Sequence, residues 1–221
     1  MHLIDLTHLI SPDMPVYPGM EPPVLNNACS IAAHGFREKK ITMFSHIGTH
    51  IDAPAHMLKN GQTLDELPLD TFFGKAFLWE LPDDNNGTIG INDLIPEREE
   101  IERADFLLIN TGWDKYWKND DYFAGYPVLS PETADWLGEI GLKGVGLDTI
   151  SADRADCSDF PVHKSLLKRG MVIIENLSGL GQLNRSRFMF SCLPLKLEKA
   201  DGSPVRAIAL LNDSGRDTGL E

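Results

Sequence analysis

Three of the chain's seven histidines and one aspartate fall within the eleven residues from His46 to His56, read as His46-Ile47-Gly48-Thr49-His50-Ile51-Asp52-Ala53-Pro54-Ala55-His56. Imidazole nitrogen and carboxylate oxygen are the donors that zinc, manganese and iron accept. A catalytic metal wants roughly three protein ligands and one open position, and His46, His50 and Asp52 supply three. On a straight strand His46 and His50 would stand roughly 13 Å apart, too far to share an ion. A helix would bring them together, but Gly48, Thr49, Ile51 and Pro54 make a poor helix. Gly48 tolerates backbone angles that other residues refuse. The spacing therefore predicts a bent strand or loop, with the bend at Gly48 folding His46 back towards His50.

Two further residues of the right type lie far off in sequence. His163 falls in the first turn of a predicted helix over 160–168, and Glu175 closes the apolar strand Met171-Val172-Ile173-Ile174. A carboxylate in that position is costly to desolvate unless something pairs with it. A cation would do so, and a solvent-facing strand end is the other reading. Other residues carry less. Cys157 lies near Asp153, Asp156 and Asp159, whose charge would raise a thiol's pKa and blunt it as a nucleophile. The three aspartates lack the glycine and distal glutamate of a calcium loop and read as solvated surface. Ser178-Gly179-Leu180-Gly181 follows a strand but has no phosphate-loop lysine. His2, His8 and His34 read as ordinary histidines, His8 being the one near enough to the proline loop to approach a pocket.

The elements that must position these groups are mixed. Alternation over 2–10 predicts a strand, and residues 11–19 (Ser-Pro-Asp-Met-Pro-Val-Tyr-Pro-Gly), continuing through Pro22-Pro23, predict an irregular loop. Tyr17 in that loop either walls a pocket or sits on an arm touching a partner subunit. Residues 39–46 predict a strand that delivers His46 at its end. Further strands are predicted over 73–81, 105–111, 144–148, 171–175, 188–197 and 205–211. Turns are predicted at 58–62, 83–87 and 198–203. Trp113, in the loop after the 105–111 strand, lines the same pocket or packs in the core. Ser130-Pro131 opens a helix that Gly141 stops, Ile91 to Leu94 forms a short one, and Gly170 closes the helix carrying His163.

Length and composition set the frame. With 221 residues and 42% hydrophobic residues, the chain reads as one domain, 1–221, with a real core. The formal charge of −13 argues against nucleic-acid partners and anionic membrane surfaces. No stretch has the length of a membrane span and no signal peptide is visible at the N-terminus. Three scattered cysteines without a CxxC pair suit a reducing compartment. A cytoplasmic enzyme with a small-molecule substrate is the expectation.

The string His46-x-Gly48-Thr49-His50-x-Asp52-x-Pro54-x-His56 resembles the signature of the cyclase family, which includes bacterial metal-dependent kynurenine formamidase and isatin hydrolase. The likeness extends to Asp5-Leu6-Thr7, to Met14-Pro15-Val16-Tyr17-Pro18-Gly19 and to the segments of His163 and Glu175, and so covers most of the chain. It implies a mixed α/β fold, the strand-rich swivelling β/β/α arrangement, assembled as a homodimer or homotetramer. It further implies that His46, His50 and Asp52 bind one ion. Asp52 would bridge to a second ion held by His163 and Glu175, and His56 would be the general acid/base. The donor set, free of thiolate, fits Zn2+ or Mn2+, with iron also admissible, one or two ions per subunit.

The implied reaction is hydrolysis of a small amide, N-formyl or cyclic, by metal-activated water. Kynurenine formamidases of this type resemble Pro-x-Trp-Pro-Gly in the N-terminal loop. Here Tyr17 stands in the tryptophan's place, which preserves an aromatic wall and leaves the substrate open. The rival readings are a lyase or cyclase using the same ions, and a protein that binds metal or ligand without turnover.

Overall fold

A computed structural model describes residues 2–82, 87–184 and 186–211. The expected turn at 83–87 lies, but for Gly87, outside the described residues. One nine-stranded sheet takes strands from nearly the whole described length. Its order is His2–Asp5, Ile208–Leu211, Arg187–Ser191, Phe73–Glu80, Phe106–Asn110, Gly144–Leu147, Val172–Glu175, His50–Asp52 and Gly202–Pro204. The four strands from Phe73–Glu80 to Val172–Glu175 run parallel, and antiparallel strands flank them on both sides.

Alternation along each central strand divides the core in two. Leu107, Ile109, Val145, Leu147 and Ile173 face one side, where the helices Pro131–Ile140 and Pro161–Lys168 cover them with Leu137, Val162 and Leu166. Phe106, Leu108 and Ile174 face the other, in one cluster with Ile51 from one end of the sheet and Ala209 from the other. For residues so far apart in strand order to share a cluster, the sheet must curl around them. A bridge between Thr7 and Leu177 and the Ser178 N–H to Leu6 carbonyl bond at 3.0 Å tie the curl shut.

The helices begin and end as their sequences require. Ser130 Oγ accepts the Thr133 N–H at 3.1 Å, Pro131 occupies the first turn, and Gly141 takes the left-handed conformation at φ +88°. Gly170, at φ +76°, follows the helix carrying His163.

Four expectations are corrected. The strand over 39–46 stops at Thr42, as Glu38–Thr42, and pairs with Val24–Cys29 in a two-stranded hairpin apart from the main sheet. His46 is reached through an irregular bend instead. Pro22-Pro23 thus ends the loop, and the strand after it carries Asn26 and Asn27 where a core-facing strand would carry apolar groups. The strand expected over 2–10 ends at Asp5, because the chain must turn to let His8 N–H donate to Thr49 Oγ1 at 2.9 Å. The strand expected over 188–197 ends at Ser191, and the segment 198–203 does more than turn. Gly202–Pro204 joins the sheet edge beside His50–Asp52.

Candidate metal centre

Period-two geometry puts His50 and Asp52 on one face of their strand, with Ile51 on the other. The antiparallel neighbour places Glu175 opposite His50 and Ile173 opposite Asp52, so Glu175 joins them on the helix-covered side. The helix Pro161–Lys168 lies on that side and contributes His163 from its first turn. His46 arrives through the bend at Gly48, whose φ is +60°, and its ring centroid comes within 5.3 Å of that of His50. His56, in the short turn Pro54–His56, stacks on His46 with centroids 3.8 Å apart. All six residues singled out from the sequence as ligands or acid/base therefore converge.

Their distances describe two linked groups around Asp52. Its Oδ1 is 2.6 Å from His46 Nδ1 and 3.4 Å from His50 Nε2, and its Oδ2 is 3.7 Å from His163 Nε2. Glu175 reaches His163 Nε2 at 3.1 Å and His50 Nε2 at 3.5 Å. His46, Asp52 and His56 can each point one donor atom into a common space, and so can His50, Asp52 and Glu175.

Three histidines have their outer nitrogen occupied. His50 Nδ1–H donates to the Gly48 carbonyl at 2.8 Å, the same oxygen that accepts Asn176 Nδ2–H at 2.9 Å. His163 Nδ1–H donates to Asp153 Oδ2 at 2.7 Å. His46 Nε2 meets Asp201 Oδ2 at 3.0 Å. In each case the other nitrogen is left facing Asp52 or Glu175. Asp52 Oδ2 itself is fully buried without a hydrogen-bond partner, a situation normally avoided in a protein interior. A buried carboxylate with one oxygen lacking a donor, and with three imidazoles around its two oxygens each held on its outer nitrogen, fits a divalent cation.

The charges follow from this packing. Burial pushes the His46 imidazolium down, but Asp52 and Asp201 outweigh it and raise the group to about 9. Burial acts likewise on His163, which Asp153, Glu175 and Asp52 carry to about 10. Burial opposes charge on Asp52, and His46 and His50 hold it well below the usual carboxylate range. His56 goes the other way: burial, with His46 and His163 close by, lowers its pKa despite the pull of Asp52 and Glu175.

A family model described as "Putative cyclase" matches residues 4–154. The chain belongs to this cyclase family. It is 34% identical over 206 residues to a kynurenine formamidase of Geobacillus thermodenitrificans, covering 92% of this chain and 95% of that one. A kynurenine formamidase of Bacillus thuringiensis subsp. konkukian is 32% identical, with 93% and 95% covered. Among solved structures, isatin hydrolase A from Labrenzia aggregata superposes with a TM-score of 0.84 at 25% identity, covering 94% of this chain and 93% of that one. The solved structure of a potential metal-dependent hydrolase with cyclase activity superposes with a TM-score of 0.79 at 30% identity, covering 94% of this chain and 96% of that one. The mixed α/β, swivelling strand-rich architecture expected from the motif is the fold these cyclase-family members share.

Two residues at the centre escaped the sequence reading. Asp153 was expected on solvated surface with Asp156 and Asp159; those two are exposed, but Asp153 is buried. Phe160 holds the N-cap position at φ +47° and has no capping side chain. Asp153 supplies the cap from a distance, accepting the N–H groups of Val162 and His163 at 3.0 Å each. Asp201 falls in a stretch whose sequence predicts only a turn, yet its carboxylate meets His46 Nε2 at 3.0 Å. Tyr17, half-buried, packs against the cluster of Tyr122, Tyr126 and Ile150 together with Trp113, and its hydroxyl reaches the Ala155 carbonyl at 3.4 Å. Burial and the charge of Glu175 raise its phenol pKa, so it stands beside the centre rather than out on an arm. His8 stacks on Trp117 at 3.8 Å, and its backbone N–H holds the Thr49 side of the Gly48 turn.

Proposed function

We propose that this cyclase-family chain is a metal-dependent hydrolase of small amides, N-formyl or cyclic, acting as a single domain over 1–221. The observation that carries the reading is the donor arrangement around Asp52, with each of three imidazoles tied on its outer nitrogen and turned inward on the other. His46, His50 and Asp52 would hold one ion, and Asp52, His163 and Glu175 would hold a second where two are bound. The donor set suits Zn2+ or Mn2+. A divalent ion there supplies Lewis acidity and brings the pKa of water from 15.7 to about 7.

The chain's own groups do the rest. His56 is the one histidine of the centre whose ring makes no hydrogen bond among the described residues; Asp201 Oδ2 is 3.6 Å from its Nδ1. Its lowered pKa keeps it neutral at pH 7, so it can take a proton from the attacking water and return it to the leaving nitrogen. Tyr17 walls the substrate side, with Trp113 and Tyr126 behind it, and an aromatic amide suits such a wall.

The reading extends to assembly and place. From Val24 to His46 no residue is buried, and a lone two-stranded hairpin is marginal in water. Ile31, Phe36, Ile41 and Phe44 are exposed there beside Arg37, Lys39 and Lys40, in a chain of charge −13. Docking of this basic, apolar arm on the acidic body of a second copy gives a homodimer or homotetramer. Three free thiols favour the cytoplasm. No helix among the described residues is long and apolar enough to cross a membrane.

The test is elemental analysis of protein purified without added metal, followed by reconstitution with Zn2+ or Mn2+ and assay on aryl N-formyl amides and on isatin. Stoichiometric metal with release of formate, or with opening of the ring, supports the hydrolase. Ring closure or dehydration without net consumption of water would assign the lyase reading instead. Metal without any turnover would leave a binding protein.

A further inference from the structure

Asp201 lies at the mouth of the centre, on a segment 145 residues beyond the last residue of the histidine motif. Its carboxylate is hydrogen-bonded to His46 Nε2 at 3.0 Å and to Ser45 Oγ–H at 3.2 Å, with Nδ1 of the stacked His56 farther off at 3.6 Å. The backbone beneath it is pinned. Ala53 N–H donates to the Asp201 carbonyl at 2.9 Å, and Gly202 is in register with Asp52 across the sheet edge. Gly202 presses flat on the His46 ring: a Cβ built there would overlap it, with Nε2 only 2.6 Å away. The ring is therefore gripped at one edge by Asp201 and on one face by the Gly202 backbone.

Resting on the metal-dependent reading above, we propose that Asp201 is a positioning residue. It holds His46 by Nε2 so that Nδ1 is the nitrogen offered to the ion, and by fixing the His46 ring it fixes the face on which His56 stacks at 3.8 Å. It completes a set, since His50 already has the Gly48 carbonyl in this role and His163 has Asp153. A carboxylate on the far nitrogen of a ligating histidine fixes its tautomer and raises its basicity. At 46% side-chain exposure, against 1% for Asp52, Asp201 is placed to support the centre from its rim rather than to ligate within it.

The experiment compares Asp201→Ala, Asp201→Asn and Gly202→Ala with the parent chain and with His50→Ala, all stripped of metal and checked for folding by near-ultraviolet circular dichroism. Zinc affinity is measured by chelator competition, without turnover. Asp201→Ala is expected to bind Zn2+ about 10–100-fold more weakly, with Asn, which keeps an acceptor oxygen, recovering part of the loss. Gly202→Ala is expected to weaken Zn2+ by displacing the ring while leaving the carboxylate in place. In zinc-saturated protein, Asp201→Ala is expected to lower kcat about tenfold or more, with KM within about threefold, as the His46 ring on which His56 stacks loses its anchor. Zinc affinity within twofold of the parent in Asp201→Ala, while His50→Ala loses the ion, overturns the role of Asp201 alone. Retention of zinc by His50→Ala overturns the metal reading and this inference with it. If Asp201→Ala does not fold, the Asp201→Asn affinity decides by the same twofold criterion.

Discussion

One oxygen of Asp153, Oδ2, accepts both the ring Nδ1–H of His163 at 2.7 Å and the backbone N–H of the same residue at 3.0 Å. A single carboxylate thus starts the helix and aims its histidine. Asp153→Ala should cost about 2 kcal/mol or more in stability, from an uncapped helix end and a buried imidazole without its acceptor. It should also weaken metal binding about 10–100-fold. Denaturant melts and zinc competition check the two effects separately. Asp153→Asn should restore much of the cap and less of the affinity, because its amide keeps an acceptor but not the charge. Equal recovery of both would show that Asp153 serves only the helix.

His56 stacks on His46 without a ring hydrogen bond of its own, so its removal leaves the other donors in place. His56→Ala should keep a metal content near that of the parent while turnover falls by about a hundredfold or more. Elemental analysis and kcat on the same preparation decide it. Undiminished turnover would move the proton-transfer role to another group.

How far the sequence disclosed this site depended on how local each part was. Gly48 and the helix bearing His163 are short-range features, and their geometry followed from residue types within a turn or two. Glu175 was legible as a charged end on an apolar strand. Asp153 and Asp201 were not, since each acquires its role through a contact that only the assembled sheet creates. Asp201 is placed by the pairing of Gly202 with Asp52, across 150 positions. A faint sign did exist for Asp153: the helix opens at Phe160-Pro161, with no side chain there able to cap it. Of the hairpin that pairs Val24–Cys29 with Glu38–Thr42, only the second strand was legible, within 39–46; the first faces no core, so no alternation marks it.

Metal uptake should release protons. With no ion bound, His46 titrates at about 9 and His163 at about 10, so both are charged at pH 7. An ion needs their neutral forms, and His50, raised against burial by Asp52 and Glu175, must be neutral too, so filling both positions at pH 7 should expel at least two protons, with affinity rising as pH climbs towards 10. Calorimetry in buffers of different ionisation enthalpy counts them. The folding linkage has the opposite sense. Folded pKa values raised above about 6.5 give stability that is fully present below that pH and lost as pH rises through 9 and 10. The metal-stripped protein should therefore weaken on alkalinisation, and the metal-loaded protein should not.

His8 supplies the complementary case at acid pH. Its ring stacks on Trp117 at 3.8 Å with planes 6° apart, and its buried Nε2 has no hydrogen-bond partner. Burial lowers its pKa to about 4, against a small opposing pull from Asp114. Between about 4 and 6.5 the unfolded chain therefore binds a proton that the folded chain refuses, and stability falls as pH drops through that window. At about 1.4 kcal/mol per pKa unit, the loss from this group approaches 3 kcal/mol by pH 4. His8→Phe keeps the stack and removes the titrating nitrogen. Urea denaturation of the metal-stripped proteins at pH 7 and pH 4.5 should show a smaller acid loss in His8→Phe than in the parent, by about 2 kcal/mol. Parallel losses in the two proteins would mean that the folded chain accommodates the His8 charge after all.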